Sequence, residues 1–219
     1  MAEACVPGRA SEDFPFFDGA KRLATTIPGG TLGYVGSNLY EYSPYVAPTG
    51  YGAEPTASAW VMLENDAMDP ETPFLWASIG WLKTYPNTRH LFWEWTDSVG
   101  NWYTETRLAW PVGGSTYYEV LWDDFTQQLN FYANYQLYDS KTRYFTMRRA
   151  NVSGETHNRA SQMPGGTSKH QTFLQSQVAN LDGSVFSFGG TSVVTDPSIH
   201  ANSHPTARAW HIWDTACAT

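Results

Sequence analysis

Two glutamates stand in settings where a carboxylate could do chemistry. The first is Glu94, in the run Arg89-His90-Leu91-Phe92-Trp93-Glu94-Trp95-Thr96-Asp97. On a strand, alternation puts Phe92, Glu94 and Thr96 on one face and Leu91, Trp93 and Trp95 on the other. Bulky rings on both faces imply a central strand covered on both sides. A carboxylate there is costly unless it is paired or hydrogen-bonded. Either an arginine such as Arg107 or Arg148 neutralises Glu94, or Glu94 serves a groove. The second glutamate is Glu155, in Val152-Ser153-Gly154-Glu155-Thr156-His157, with Ser161-Gln162-Met163-Pro164-Gly165-Gly166 after it. Gly154 admits the close approach of another group. The Gly165-Gly166 pair implies a loop with unusual dihedrals. The plain alternative for Glu155 is a solvated glutamate at a strand end.

Two carboxylates around one water can act as base and acid if their surroundings split their proton affinities. One deprotonates water for attack on a scissile carbonyl. The other, held protonated, polarises the carbonyl and donates to the leaving nitrogen. Gln162, Ser78 or Thr156 could donate to the oxyanion. The same pair could instead cleave a glycosidic bond. Among Trp76, Trp81, Trp93, Trp95, Trp102, Trp110 and Trp122, two or three are expected to line a groove as flat platforms, and the rest to fill the core. Trp81, Trp93 and Trp95 are the candidates nearest Glu94, with Gln162 and Ser78 as polar contacts.

Other chemistries find little support. His157, His170, His200, His204 and His211 invite a metal reading, but His200 and His204 have ligand spacing only on a helix, which Pro205 opposes. Asp123-Asp124 lacks the alternating oxygen ligands of a calcium loop. There is no Gly-x-Ser-x-Gly, no phosphate-binding glycine loop and no cysteine nucleophile. No metal and no cofactor are expected.

The elements that must carry these residues read as strands. From Thr56 onward, aromatic and β-branched runs recur at 57–64, 74–83, 89–97, 102–108, 116–122, 129–135, 142–149, 172–178, 185–188 and 207–213, bounded by Gly, Pro, Asn and Asp. Residues 97–101 predict a hairpin loop. Helical stripes and internal repeats are lacking. Many short strands with turn signals predict an all-β, two-sheet antiparallel β-sandwich over 57–219. Residues 1–56 are rich in Pro, Gly and Tyr. They are expected to wrap the domain and end in one or two short strands.

The 219 residues suit one such domain. Charged residues are only 16% and the net charge is −8, with no Lys/Arg run. Acidity of this kind argues against nucleic acid and anionic membrane surfaces, and leaves a polypeptide or polysaccharide partner or self-association. No apolar run approaches the length of a membrane span. Cys5 and Cys217, one near each terminus, predict a disulfide closing the chain, worth about 5 kcal/mol in the chain-entropy model. Such a bridge implies an oxidising compartment, hence a secreted protein.

Several motifs in order resemble the neprosin-like proteins. These are Ser58-Ala59-Trp60-Val61, then Ile79-Gly80-Trp81, then Thr88 to Asp97, then Ser153-Gly154-Glu155. Gln162-Met163-Pro164-Gly165-Gly166 and His170-Gln171-Thr172-Phe173 look like a divergent form of the stretch that follows in that family. The likeness spans roughly Ala57 to Phe173. It implies a glutamic-peptidase-like hydrolase built as a concanavalin-like jelly-roll sandwich, distantly like the eqolisins. Such sandwiches host both peptidases and glycanases. Glu155 matches the family's second catalytic glutamate. At the first position this chain has Ser78, which cannot be a carboxylate base, and Glu94 on the next strand is the candidate replacement. The rival reading is a non-catalytic secreted carbohydrate-binding or surface-assembly module.

Overall fold

The structure is a computed structural model. It describes residues 19–25, 30–40, 43–46, 48, 56–65, 73–86, 88–110, 114–142, 145–156, 161–166, 168–188, 193–195, 201–205 and 209–214. Cys5, Cys217, His157 and His200 lie outside them. The described residues form strands and connections with no helix. No helix is long and apolar enough to cross a membrane, among the described residues.

In chain order the strands are β1 Gly19–Thr25, β2 Leu32–Tyr40, β3 Thr56–Glu64, β4 Trp76–Thr84, β5 Thr88–Thr96 and β6 Trp102–Leu108. Then come β7 Ser115–Asp123, β8 Gln128–Ala133, β9 Gln136–Thr142, β10 Arg149–Thr156 and β11 Gln171–Asn180. The last are β12 Val185–Ser187, β13 Val193–Thr195, β14 Ala201–Pro205 and β15 Ala209–Asp214. They make two antiparallel sheets, as predicted. One sheet has seven strands in the order β13-β1-β10-β3-β4-β5-β6, and the other has eight, in the order β14-β15-β11-β2-β7-β8-β9 with β12 also paired to β11.

Alternation explains the layers. Ala59, Val61 and Leu63 of β3, Ala77, Ile79 and Trp81 of β4, and Leu91 and Trp93 of β5 point inward. They meet Val35 and Leu39 of β2, Tyr118, Val120 and Trp122 of β7, and Phe131, Phe173, Trp210 and Ile212. Burial of these side chains, at about 1.5–3 kcal/mol each, is the main force closing the sandwich.

The sequence reading departs from this fold in two places. The described stretches 19–25 and 30–40 of this segment do not wrap the domain. They supply an interior strand to each sheet, β1 beside β10 and β2 between β11 and β7. Gly33 and Gly36 gave β2 the look of a loop. Both are bare because neighbours need the space: Leu181 packs where a Gly33 Cβ would sit, and the Tyr34 and Tyr117 hydroxyls sit over Gly36. The second departure is at 142–149, where the expected strand falls between two real ones, β9 and β10. The 97–101 hairpin is as predicted. Asp97 N–H donates to Asn101 O at 3.0 Å, and Gly100 has φ 87.

Candidate functional site

The outward face of the seven-stranded sheet carries most of the candidate residues. Cross-strand register arranges them in rows. Asn151, Met62, Ser78, Glu94 and Thr104 form one row from β10 across to β6. Arg149, Glu64, Trp76, Thr96 and Trp102 form the next. Ser153, Trp60, Gly80, Phe92 and Thr106 lie on the other side of the Glu94 row, and Glu155, Ser58, Leu82 and His90 lie beyond them. Phe92, Glu94 and Thr96 therefore share a face, as the alternation predicted.

Glu94 and Glu155 lie on the same face but not together. Three strand spacings and four residues separate them, about 20 Å between Cα atoms. That is well outside the roughly 5–9 Å at which two carboxyls can share a water. Each has its own hydroxyl donor. Thr104 Oγ1 donates to Glu94 Oε1 at 3.1 Å, and Ser58 Oγ donates to Glu155 Oε1 at 3.3 Å. Neither arginine suggested for Glu94 is at its side. Arg107 shares the inward row with Leu91 and lies over the Tyr138 ring at 5.2 Å, and Arg148 donates to Gly30 O.

Ser78 is the cross-strand neighbour of Glu94 and only 1% exposed. Its Oγ has no hydrogen-bond partner among the described residues. Around it, Trp60, Met62 and Phe92 form a small apolar cluster, with Trp76 and Leu82 packed against it. Trp60 folds close over Gly80, where any Cβ would collide with Ala59 O and Trp60 Cα. Phe74 stacks on Trp76 at 5.2 Å, and Trp102, 56% exposed, stands on the same face of the edge strand β6. The open part of this face is thus an aromatic rim of Phe74, Trp76 and Trp102 beside Glu94.

The other tryptophan assignments need correction. Trp81 is fully buried between the sheets, with the Arg89 guanidinium 4.3 Å from its ring. Trp93 is also in the core, and its Nε1 donates to Asp139 Oδ2 at 2.8 Å. Trp95 faces the same way, stacks on Tyr103 at 5.5 Å and carries Lys141 Nζ 4.1 Å from its ring. All three alternate with Glu94's face and cannot reach it. Gln162 is fully buried and far from Glu94. It locks the 43–46 segment by accepting from Tyr45 N–H at 2.9 Å, while its own N–H donates to Tyr45 O at 2.8 Å. Thr156 Oγ1 donates to Thr56 O at 2.8 Å. The close approach predicted at Gly154 is real, but the visitor is Ile212 of the other sheet. Gly165 has φ 94, as its loop required.

Sequence reasoning missed Glu64. It is 1% exposed, and its donors include Arg149 Nε and an Arg149 terminal nitrogen to Oε1, each at 2.7 Å, and Asn151 Nδ2 to Oε2 at 3.0 Å. The signal was present in the outward parity of Glu64 with Ser58 and Trp60, but the partner lies 85 residues away. Among the described residues no group of His, Cys, Asp or Glu is placed to hold a metal ion. His170 instead stacks on Trp213 at 4.1 Å.

No family model matches this sequence, and no curated protein matches it significantly. Solved structures do match in fold. SCP-B, a member of the eqolisin family of peptidases solved with the tripeptide Ala-Ile-His, has a TM-score of 0.63 at 13% identity, covering 94% of this chain and 100% of that one. Scytalido-glutamic peptidase with a transition state analog inhibitor has a TM-score of 0.62 at 12% identity, with the same coverage. A Bacillus licheniformis β-glucanase matches more loosely, with a TM-score of 0.40 at 10% identity over 98% of this chain and 86% of that one. In its two-sheet architecture, then, this chain is similar to the glutamic peptidases.

Proposed function

We propose that this chain is a secreted polypeptide-binding β-sandwich with a hydrolase-like fold, and that it does not use Glu94 and Glu155 as a catalytic pair. The separation of about 20 Å between those residues carries the reading, because no single water can touch both. The row through Glu94 offers one carboxylate, with Asn151, Met62 and Ser78 as its companions. The rim of Phe74, Trp76 and Trp102 supplies flat apolar surface for side chains of an extended chain. Glu94 supplies an acceptor beside it. A polypeptide is preferred to a glycan because the two peptidase structures share this fold and one of them, SCP-B, holds the tripeptide Ala-Ile-His. Export belongs to the same proposal and rests on Cys5 and Cys217.

The fold shared with peptidases favours a second reading, cleavage in acid. One experiment separates the two. A fluorescein-labelled unstructured polypeptide is incubated with the protein from pH 3 to pH 7, with anisotropy reporting binding and gel electrophoresis reporting cleavage. The expected result is binding without cleavage, weakened about five- to tenfold by Trp76→Ala, the loss of one aromatic contact. Acid cleavage that disappears in Glu94→Gln or Glu155→Gln would establish the peptidase reading instead. Tight binding only to insoluble polysaccharide would replace the polypeptide by a glycan.

A further inference from the structure

The opposite face of the molecule carries a second constellation. On the outward side of the eight-stranded sheet, Gly36 of β2 is paired with Glu119 of β7, which is paired with Tyr132 of β8. Tyr34 and Tyr117 lie on the same face, and their hydroxyls meet directly above Gly36. A side chain at Gly36 would displace both. Glu119 is half-buried in this setting, on the same face as Tyr34 and Tyr117. Among the described residues no cation pairs with it. Burial pushes its proton affinity above the ordinary carboxylate range, and the Tyr34 hydroxyl partly offsets this.

The turn above the cluster is unusual. Asn134 and Tyr135 join β8 to β9 with φ 48 and φ 64. A two-residue hairpin of this kind favours Asn-Gly, because the second position also needs left-handed backbone. Here a tyrosine occupies it, in a conformation that disfavours bulky side chains. Its ring stacks on Tyr117 at 5.4 Å yet remains 77% exposed. A strained, exposed aromatic stacked on Tyr117, two residues along the same face from a half-buried carboxylate, points to a ligand site.

We propose that Tyr34, Tyr117, Tyr135 and Glu119 form a binding site for an alkylammonium group, with Glu119 as counter-ion and the tyrosine rings as cation–π surface. The attraction is of two kinds. An ammonium beside Glu119 supplies a charge partner that none of the described residues provides. The ring faces attract a desolvated cation more strongly than a hydrated one. The ammonium could belong to a lysine side chain of a partner or to a free small amine. The titratable groups around Glu119 are Tyr34 from β2, Tyr117 on its own strand and Tyr132 from β8, with Tyr135 of the turn stacked on Tyr117. Binding therefore competes with protonation of Glu119 and weakens as pH falls.

The test is calorimetric titration of the full chain with Nα-acetyl-lysine methylamide and, separately, with choline. Both are repeated at two pH values on either side of the carboxylate range. Binding by either probe is expected, weaker at the lower pH and reduced about tenfold by Glu119→Gln, the loss of a charge contact. Tyr135→Gly provides the control against misfolding. It should raise the melting temperature, because glycine suits φ 64, while weakening binding several-fold. Preference for the lysine probe identifies a polypeptide side chain as the source, and preference for choline a small amine. Absence of binding to both probes overturns the proposal. So does affinity unchanged in Glu119→Gln, or binding of neutral oligosaccharides alone. The site lies on the other sheet from the polypeptide-binding face, so either proposal can fail without the other.

Discussion

Replacing Glu64 with alanine should lower the free energy of unfolding by about 2–3 kcal/mol, and replacing Arg149 with methionine by about 3–5 kcal/mol. The difference follows from exposure. Glu64 is 1% exposed and Arg149 22%. Without the carboxylate, the guanidinium turns toward water and recovers part of its hydration. Without the guanidinium, the carboxylate stays buried and loses its charge partner, keeping Asn151 Nδ2 as a neutral donor at 3.0 Å. Charge-assisted hydrogen bonds are about twice as strong as neutral ones, so the two bonds of 2.7 Å from Arg149 dominate the loss. Glu64→Gln should cost only about 1 kcal/mol, since the amide keeps the shape and one acceptor. Its new N–H can also serve the buried Asn151 Oδ1, which lacks a partner among the described residues. Urea titration followed by tryptophan fluorescence reads these differences as shifts in midpoint at constant slope. In a domain of this size the loss in Glu64→Ala should also lower the melting temperature by roughly 5–10 °C. The reasoning is refuted if Glu64→Ala proves more harmful than Arg149→Met, or if neither costs as much as 1 kcal/mol. Trp76 lies beside Glu64 in the same row, so polypeptide binding should weaken along with stability in both variants.

Two further outcomes follow from single sites. Gly80→Ala should destabilise by about 3 kcal/mol or more and Gly154→Ala by about 1–2 kcal/mol. The first Cβ meets backbone of β3 and the second only the flexible tip of Ile212; thermal melts that reverse this order would contradict the packing. Burial, with the Arg89 charge adding to it, pushes the Lys83 amine down from 10.5 to about 8. Between those pH values the unfolded chain holds a proton that the fold has released, so stability should rise with pH through the window. The gain should be about 1–2 kcal/mol after allowance for solvent screening, and Lys83→Met should abolish it in urea titrations at pH 7 and pH 10.

Part of this protein was legible from local chemistry. The alternation around Glu94 fixed its face and its companions Phe92 and Thr96, because side-chain direction on a strand depends only on parity. The glycines were legible too: Gly154 predicted a close neighbour and Gly165 a left-handed turn, and both hold. Two packed antiparallel sheets followed from the density of short strands and turns. Parity says which residues share a face, however, and not which face is inside. That is why Trp81 and Trp93, chosen for a groove, proved to be core. The choice depends on what packs above each face, and here that is β2, β7 and β8.

Tertiary structure alone decided the relation between Glu94 and Glu155. Each sits on its strand as its neighbours dictate. Their separation depends on strand order and register, which cross-strand packing and turns set between segments far apart in the chain. The pairing of Glu64 with Arg149 and the gathering of Tyr34, Tyr117 and Tyr135 around Glu119 arise in the same way. A single strand's residues carry its own periodicity, but the energy that selects its neighbours is released only when both faces are buried.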